Sequence, residues 1–463
     1  MKYVRSKRHR RYRTPKDCEL GLPYTEVIYK GKRKNLCDEI SVISQSINYF
    51  PKLKNTFINS PVMRNELLLS LSANFINVPN KYDKNINSSS QIDILQIEKL
   101  IIGGGTAGFS MLEECRDCLL ISNETATDIF YDPLTSNELK ERIKKIIKQN
   151  KERIIKGIIL GKFDEGIGVF ISGKHVILKG VKEIIFAHGG RYIPPLFANN
   201  DLPGIISRRL YLSHFSHAEK AIIMGSTDEA IRTAYVGKRK VLYREGASLF
   251  TKIGLELAEK EGIELIPVRK VYVKRKGNKL IVKYDANSEE VDILVFDIVK
   301  QPKLEITYNL GINYKFYKKM HIYSPTHNIL GEFEQFKIVG GSRGIYDDEL
   351  SFLSSKAALG IYVDDFISKL KETPLYGFYN NDYSEIPSPY IFDDTGYFCE
   401  CEDITADDII PKLKKGYTDV ESIKRVTGAC TGKCQGKLCA YLIGSYLKSE
   451  RLITFRSPIY SIV

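Results

Sequence analysis

The stretch at residues 99–115, KLIIGGGTAGFSMLEEC, decides the fold. A short apolar strand pattern runs into the turn at residues 103–108, and a helical pattern follows it. In this G-x-G-x-x-G spacing Gly103 permits a tight turn, Gly105 lets a diphosphate approach the backbone, and Gly108 lets helix and strand pack closely. The helix N-terminus then faces the phosphates. The stretch therefore predicts a nucleotide site at Gly103, Gly105, Thr106, Ala107 and Gly108.

The second strand of this unit, at residues 118–122, is followed by Asn123 and Glu124. An acidic residue at this place accepts hydrogen bonds from the ribose hydroxyls of a dinucleotide. Here the position falls on Asn123 or on a displaced Glu124, and the intervening helix is short. We therefore expect these two residues to contact the nucleotide in an altered way. The Cys115-x-x-Cys118 pair in the same turn is expected in the core rather than in redox chemistry.

The region that follows alternates short apolar runs with helical patterns, which is typical of an α/β fold with parallel strands. Residues 169–186 predict a small β-meander, and residues 221–224 begin a second strand–turn–helix unit. Its turn lacks the glycine triplet and places Asp228 and Glu229 where phosphates would lie, so like charges oppose a pyrophosphate. The second unit is thus expected to keep the fold with a weak or lost pyridine-nucleotide site.

Two polar stretches, at residues 80–91 and 372–390, are predicted to be linkers. The second contains three prolines, which disfavour a regular helix or strand. The predicted organisation has four parts. They are an N-terminal segment at 1–95, a first dinucleotide-binding domain at 96–215 with 325–385, a second and degenerate one at 216–324, and a cysteine module at 391–463.

The cysteine module contains Cys399-x-Cys401 and, after 32 residues, Cys434-x4-Cys439. Four thiolates can hold two irons bridged by two sulfides. Two short helices between the pairs are indicated by the patterns T-x-x-D and T-x-x-E at Thr405 and Thr418. A zinc knuckle or disulfides are the alternatives, but C-x-C is unusual for structural zinc. The spacing predicts a [2Fe-2S] cluster on these four cysteines, with Cys430 as a neighbour rather than a ligand.

The chain of 463 residues carries a net charge of +13, and eight of its 69 Lys and Arg lie in residues 1–16 with no acid among them. This is one local basic arm and not a protein-wide field for nucleic acid. No run approaches 18 apolar residues, and no apolar stretch follows the N-terminal charges. We therefore expect no transmembrane segment, no secretory signal and a cytoplasmic location.

Several motifs carry a family resemblance. The CECEDIT and TGKCQGKLC stretches at residues 399–405 and 431–439 resemble the bacterioferritin-associated-ferredoxin (BFD) type of [2Fe-2S] domain. Residues 186–204, FAHGGRYIPPLFANNDLPG, resemble the α subunit of heterotetrameric sarcosine oxidase and its relatives, archaeal dye-linked proline dehydrogenase and bacterial opine oxidase. The stretches RHRRYRTPK at 8–16 and NYFP at 48–51 are similar to that family's start. The long folate-binding half of sarcosine oxidase is missing, which favours the shorter dehydrogenase subunits.

The resemblance implies a two-dinucleotide-binding-domain flavoprotein fold and a division of labour. Substrate is oxidised at FAD in a separate β subunit, FMN lies at the subunit interface, and a small ferredoxin-like subunit can be present. The α subunit binds FAD or another adenine nucleotide, NAD or ATP, and passes electrons from flavin to the cluster. The resemblance also implies that His188 and Gly189 lie in the turn on the flavin side. It implies that Gly340 and Gly341 lie in a second turn, which often carries Asp in related flavoproteins and has Ser342 in this chain.

Two other functions remain open from the sequence. A self-sufficient FAD- and NAD(P)H-dependent oxidoreductase would pass electrons to its own cluster, but it needs a working second nucleotide turn. A non-catalytic scaffold would keep the fold with degraded sites, yet the complete cysteine set argues against it. No residue pattern indicates a general base, which agrees with a subunit that does not bind the substrate.

Overall fold

The structure is a computed structural model that describes residues 26–29, 32–35 and 92–459, with single gaps at 126, 173, 203, 278, 383 and 433. The predicted basic arm and most of the segment before residue 92 lie outside the described residues. The strands, in chain order, are β1 Glu26–Tyr29, β2 Lys32–Asn35, β3 Asp93–Gln96, β4 Lys99–Gly104, β5 Cys118–Thr125, β6 Ile154–Phe163, β7 Gly166–Ile171, β8 Lys174–Lys179, β9 Glu183–Phe186, β10 Gly190–Tyr192, β11 Ile205–Ser207, β12 Ala221–Met224, β13 Lys240–Arg244, β14 Leu265–Val268, β15 Val271–Lys276, β16 Lys279–Tyr284, β17 Asn287–Val291, β18 Ile293–Phe296, β19 Lys300–Pro302, β20 Tyr314–Tyr317, β21 Ile322–Pro325, β22 Glu332–Phe333, β23 Phe336–Ile338, β24 Tyr397–Cys399 and β25 Ile404–Thr405.

The helices alternate with these strands in the middle of the chain and dominate its end. In chain order they are α1 Thr106–Glu114, α2 Thr127–Tyr131, α3 Asn137–Gln149, α4 Arg208–Leu210, α5 Asp228–Tyr235, α6 Lys252–Glu261, α7 Glu305–Asn309, α8 Asp348–Ala357, α9 Val363–Lys371, α10 Ala406–Leu413, α11 Val420–Thr427 and α12 Cys439–Leu447.

The first sheet has the strand order β22-β23-β9-β4-β5-β6-β7-β8-β3. Its centre, from β23 to β6, is parallel, whereas β6, β7 and β8 form an antiparallel meander. Phe109, Ile143 and Phe352 bring α1, α3 and α8 onto one face. The meander predicted over residues 169–186 is therefore right for the β7–β8 hairpin and wrong for β9. Because Ile184 to Phe186 are buried, this strand belongs in the parallel centre.

The second sheet repeats the plan with the parallel order β11-β18-β12-β13-β14. A three-stranded meander, β15-β16-β17, precedes β18 just as the first meander precedes β9. Two parallel sheets of this kind, each with a strand–turn–helix start and a meander, form the predicted α/β two-dinucleotide-binding-domain fold. The domain boundaries at 215 and 324 stay a prediction.

The C-terminal module is helical, with α10 and α11 between the cysteine pairs and α12 after them. Beyond α12 the chain returns to the first sheet, where Ile459 N donates to Leu160 O at 2.8 Å. The linker before the module is not free of helix, since Pro374–Phe378 form a 3₁₀ turn. Pro374 is tolerated at the first helical position because its missing N–H is not needed there.

Arg208 lies at the contact between the two sheets and is 4% exposed. Its guanidinium pairs with buried Asp132, which follows α2, and its Nε lies 3.4 Å from Asp297 Oδ2 after β18. Glu229 Oε1 is 3.5 Å from Nη1. Burial and the Glu229 charge raise the pKa of Asp297 to about 7, and Arg208 opposes this rise. One cation therefore compensates acids from both sheets.

We predict that Arg208→Met lowers the free energy of unfolding by about 3–5 kcal/mol, because it removes the guanidinium that lies against buried Asp297 and one of the two arginines that pair with buried Asp132. Lys276→Met is the control, since the Lys276–Glu290 pair lies at the surface and its loss costs less than about 1 kcal/mol. Urea unfolding followed by circular dichroism measures both. Equal losses in the two variants would contradict a central role for Arg208.

Candidate functional site

The glycine turn has the geometry that the sequence predicts. Gly103 has φ of +114°, and a Cβ on it would lie 2.3 Å from Ala187 O, while one on Gly108 would lie 2.0 Å from Gly103 O. Gly105 precedes α1, has φ of −94°, and would place its Cβ in open space. Gly103 and Gly108 are therefore needed for close packing, and Gly105 faces the cavity.

This cavity lies over the carboxyl ends of the first sheet, where α/β folds bind their ligands. Gly340 lies behind the wall, where its Cβ would clash with that of Ala107 at 2.6 Å, and Gly108 is also outside the lining. The side chain of Glu124 is outside the described residues. The predicted residues that the structure brings together around the cavity are Gly103, Gly105, Thr106, Ala107, Asn123, His188, Gly189 and Gly341.

The cavity is also strongly charged, which the sequence analysis missed. Arg209 Nε lies 2.9 Å from Asp128 Oδ1. Burial would raise the pKa of Asp128, but Arg209 and Lys300 hold it at about 2, so it is an anion. No local motif signals these residues, because the fold gathers them from separate loops. The charged residues of the lining are Asp128, Arg209, Lys300, Lys303, Glu305 and Asp348.

His188 is held on both ring nitrogens. Its Nε2 donates to Lys303 O at 2.6 Å, so Nδ1 is the acceptor, 3.3 Å from Ser342 Oγ. The same hydroxyl accepts from Gly189 N at 3.0 Å. Burial lowers the pKa of His188 to about 4. The ring is therefore neutral near pH 7 and fixes the turn, and Ser342 supports this turn rather than lining the cavity.

In the second strand–turn–helix unit, both acids of the turn are engaged in contacts with neighbouring residues. Asp228 accepts from Thr251 N at 2.9 Å and from Thr251 Oγ1 at 2.5 Å, which ties the first acid of the turn to α6. Glu229 Oε1 lies 3.3 Å from Lys300 Nζ. A Cβ on Gly225 would already lie 2.2 Å from that of Ala230. The two acids thus occupy the place where a pyrophosphate would lie, and the weak pyridine-nucleotide site stays a prediction.

Cys118 is buried in the core with Cys115 packed against it, as the sequence analysis expects, and the two cysteines form a disulfide. Arg153 donates to Leu112 O at 3.1 Å and also to Cys115 O. These bonds draw the end of α1 towards the start of β5, so the two sulfurs come together. The disulfide closes the turn at the edge opposite the glycine turn.

In the C-terminal module five buried cysteines converge. Cys399 ends β24 and Cys439 begins α12, while Cys430 Sγ lies 3.5 Å from Cys439 Sγ. Hydrogen bonds from the thiols of Cys401 and Cys439 hold the pKa of Cys434 well below its usual range. A Cβ on Gly432 would lie 2.6 Å from that of Cys401, so only glycine allows this approach. The soft donor set fits an iron–sulfur cluster.

The two helices between the cysteine pairs, α10 and α11, are each capped at the N-terminus by a side chain. Thr405 N donates to Asp408 Oδ2 at 2.9 Å, which is the predicted capping box. The second cap is Asp419 and not Thr418, because Asp419 Oδ1 accepts from Ser422 N at 2.9 Å. A carboxylate at this place satisfies a free N–H and faces the positive helix end.

The cysteine loop and the cavity share a wall. Arg191 Nη1 donates to Glu305 Oε1 at 2.5 Å and to Lys437 O at 3.0 Å. Lys437 Nζ in turn donates to Cys434 O at 3.1 Å and to the carbonyl of Ile459, which lines the cavity. Buried polar contacts thus connect the two sites directly.

Comparisons with known proteins agree with this architecture. Residues 397–449 match the family model of the BFD-like [2Fe-2S] binding domain. L-proline dehydrogenase from P. horikoshii superposes with a TM-score of 0.57 and 20% identity over 81% of this chain and 79% of that chain. Thioredoxin reductases from T. acidophilum and Lactococcus lactis superpose with TM-scores of 0.46, at 13% and 14% identity, over 58% and 59% of this chain and 99% of each of theirs. A search among curated sequences finds no match.

The chain therefore has the fold of two-domain flavoproteins. Its C-terminal module is a BFD-like [2Fe-2S] domain. Within the described part of the chain, no helix has the length and apolar character needed to cross a membrane.

We predict that Gly105→Val yields protein without its nucleotide, because the new side chain would enter the space left for phosphate. The backbone at φ of −94° accepts valine, so folding and iron content should stay unchanged. Extraction of the purified protein followed by chromatography of the nucleotides measures the loss. An unchanged nucleotide content would show that the turn is purely structural.

We predict that Cys434→Ser abolishes the visible absorbance of the cluster, because it removes a ligand. Cys430→Ser is the matched control, since Cys430 is equally buried in the same loop and should leave the absorbance intact. Iron analysis of both variants checks the result. One equivalent of zinc without iron in the wild-type chain would refute the cluster assignment.

Proposed function

We propose that the chain is the electron-transfer, nucleotide-binding α subunit of a multi-subunit flavin-dependent dehydrogenase or oxidase that acts on amines or imino acids of the sarcosine or proline type. The observation that carries this proposal is the buried wall between the cavity and the cysteine loop. Arg191 and Lys437 join the two sites through direct hydrogen bonds. Such contact suits electron passage between a bound flavin and a cluster.

The roles of the residues follow from their positions. Gly105 and the start of α1 would bind phosphate groups, and Arg209 and Lys303 would add positive charge to the same cavity. FAD is the proposed occupant, with NAD or ATP as the alternatives. When bound, a flavin supplies one- and two-electron chemistry and the cluster one-electron chemistry. The proposed cluster ligands are Cys399, Cys401, Cys434 and Cys439.

The cavity has charged groups that are engaged with one another, which supports substrate oxidation elsewhere. Asp128 pairs with Arg209, and Glu305 pairs with Arg191. Asp348 accepts from Thr135 Oγ1 at 2.6 Å. With His188 neutral and held, none of these groups is placed as a general base for amine oxidation. The proposal therefore assigns substrate oxidation to an FAD-containing β subunit.

A self-sufficient NAD(P)H-dependent oxidoreductase is less well supported. Asp228 and Glu229 occupy the second turn, where they contact Thr251 and Lys300. A pyridine nucleotide would meet these acids rather than a phosphate cradle. A scaffold without redox function is opposed by the open cavity at Gly105 and the converging cysteines.

Purification of the native complex with cofactor extraction tests the proposal. A co-purifying flavoprotein, with flavin and iron in the complex, is the expected result. A lone chain that contains FAD and oxidises NADH would instead establish the self-sufficient oxidoreductase. The complex is expected in the cytoplasm, with FMN at the subunit interface and a small ferredoxin-like subunit as a further partner.

We predict that deletion of residues 1–16 costs the complex its FMN or its β subunit and leaves the cluster intact. The arm lies outside the described residues, and its arginines suit the phosphate of an interface flavin because the planar guanidinium can bind phosphate through two bonds. Flavin content and size-exclusion chromatography measure the effect. A truncated chain that assembles with full flavin content would show that the arm is only a tail.

A further inference from the structure

Lys437 carries a buried charge inside the cysteine loop. The residue is 1% exposed and lies between Cys434 and Cys439. Its ammonium group donates to Cys434 O at 3.1 Å and lies 3.4 Å from Gln435 Oε1. The chain thus fixes a cation in the loop that carries Cys434 and Cys439, at a place that water reaches poorly. A surface lysine would leave such a charge screened by solvent.

This cation belongs to a buried triad of charged residues. Arg191 is 1% and Glu305 is 2% exposed, and the two lie 2.5 Å apart. Arg191 also donates to the carbonyl of Lys437, so one guanidinium joins Glu305 to the backbone of the cysteine loop. Burial would raise the pKa of Glu305, but Arg191 and Lys437 lower it, which keeps Glu305 anionic. The triad therefore contains two cations and one anion, and the anion lines the nucleotide cavity.

We infer that the Arg191–Glu305–Lys437 triad sets the reduction potential of the cluster. Through Glu305, this potential also depends on a charge in the wall of the nucleotide cavity. Lys437 stabilises the reduced cluster, and Glu305 offsets part of this effect from the cavity side. These are positioning residues that act through charge and not by ligation. The inference rests on the proposed cluster at the four cysteines.

The physical reason is that reduction adds one negative charge to a cluster already surrounded by thiolates. A fixed cation lowers the free energy of the reduced form, and a fixed anion raises it. Both effects are larger in a buried site than in water because the effective dielectric constant is lower. Removing the cation and removing the anion must therefore shift the potential in opposite directions, which a purely structural role would not produce.

The test is a redox titration of the full-length chain with its cluster, using dithionite at pH 6.5 and following visible absorbance and electron paramagnetic resonance. Lys437→Met should lower the potential and Glu305→Gln should raise it. Each shift should change the ratio of reduced to oxidised cluster at a fixed ambient potential about tenfold, or about 59 mV for one electron. Lys448→Met is the control, because Lys448 is exposed on the same module and should change the ratio less than twofold.

Iron content of every variant distinguishes a failure of the proposed function from a failure of this inference alone. A wild-type chain without a cluster would overturn the proposed function together with this inference. A normal cluster whose potential stays fixed, or falls, in Glu305→Gln would overturn the inference alone. If Lys437→Met fails to hold iron, Glu305→Gln decides the question by the sign of its shift.

Discussion

Three segments of backbone meet at Gly103, and the nucleotide cavity depends on how closely they approach. The turn after β4 lies against the carbonyl of Ala187 at the end of β9, and Gly108 brings α1 against Gly103 O. Gly340 packs closely against Ala107, the second residue of α1. A side chain at any of these contacts would separate the strands from the helix. Only after this packing is satisfied does Gly105 face an open space.

Buried ions join the parts of the molecule that the glycine turn leaves separate. Arg208 pairs with Asp132 after α2 and with Asp297 after β18, and Arg191 in β10 connects Glu305 to the cysteine module. Replacing both members of such a pair by apolar residues of similar volume is often neutral or stabilising, whereas removing one member alone is costly. What an ionic contact adds is direction, because a guanidinium binds its carboxylate and its carbonyl in a fixed geometry. The relative position of cavity and cluster is thereby defined.

The sequence predicted those features in which spacing alone determines geometry. The glycine turn and the C-x-C and C-x4-C pairs are local motifs, so their positions follow from residue numbers. The charged lining could not be predicted, because Asp128, Arg209 and Lys303 lie far apart in the chain and meet only through tertiary packing. The position of β9 in the parallel centre of the sheet could not be predicted either, since a buried strand can pair in either direction. The Asp419 cap differs from the prediction by one residue, because Thr and Asp compete for the same N–H groups.

The return of the chain from α12 to the first sheet has a consequence for biogenesis. Ile459 lines the same cavity as Gly105, although the ribosome adds it more than three hundred residues later. At about 5–20 residues per second this interval lasts roughly 20–70 s. The first sheet can form while its binding cavity still lacks one wall, and that wall arrives with the cysteine loop to which Lys437 attaches it. The cavity is thus complete only after the cysteine module has been synthesised.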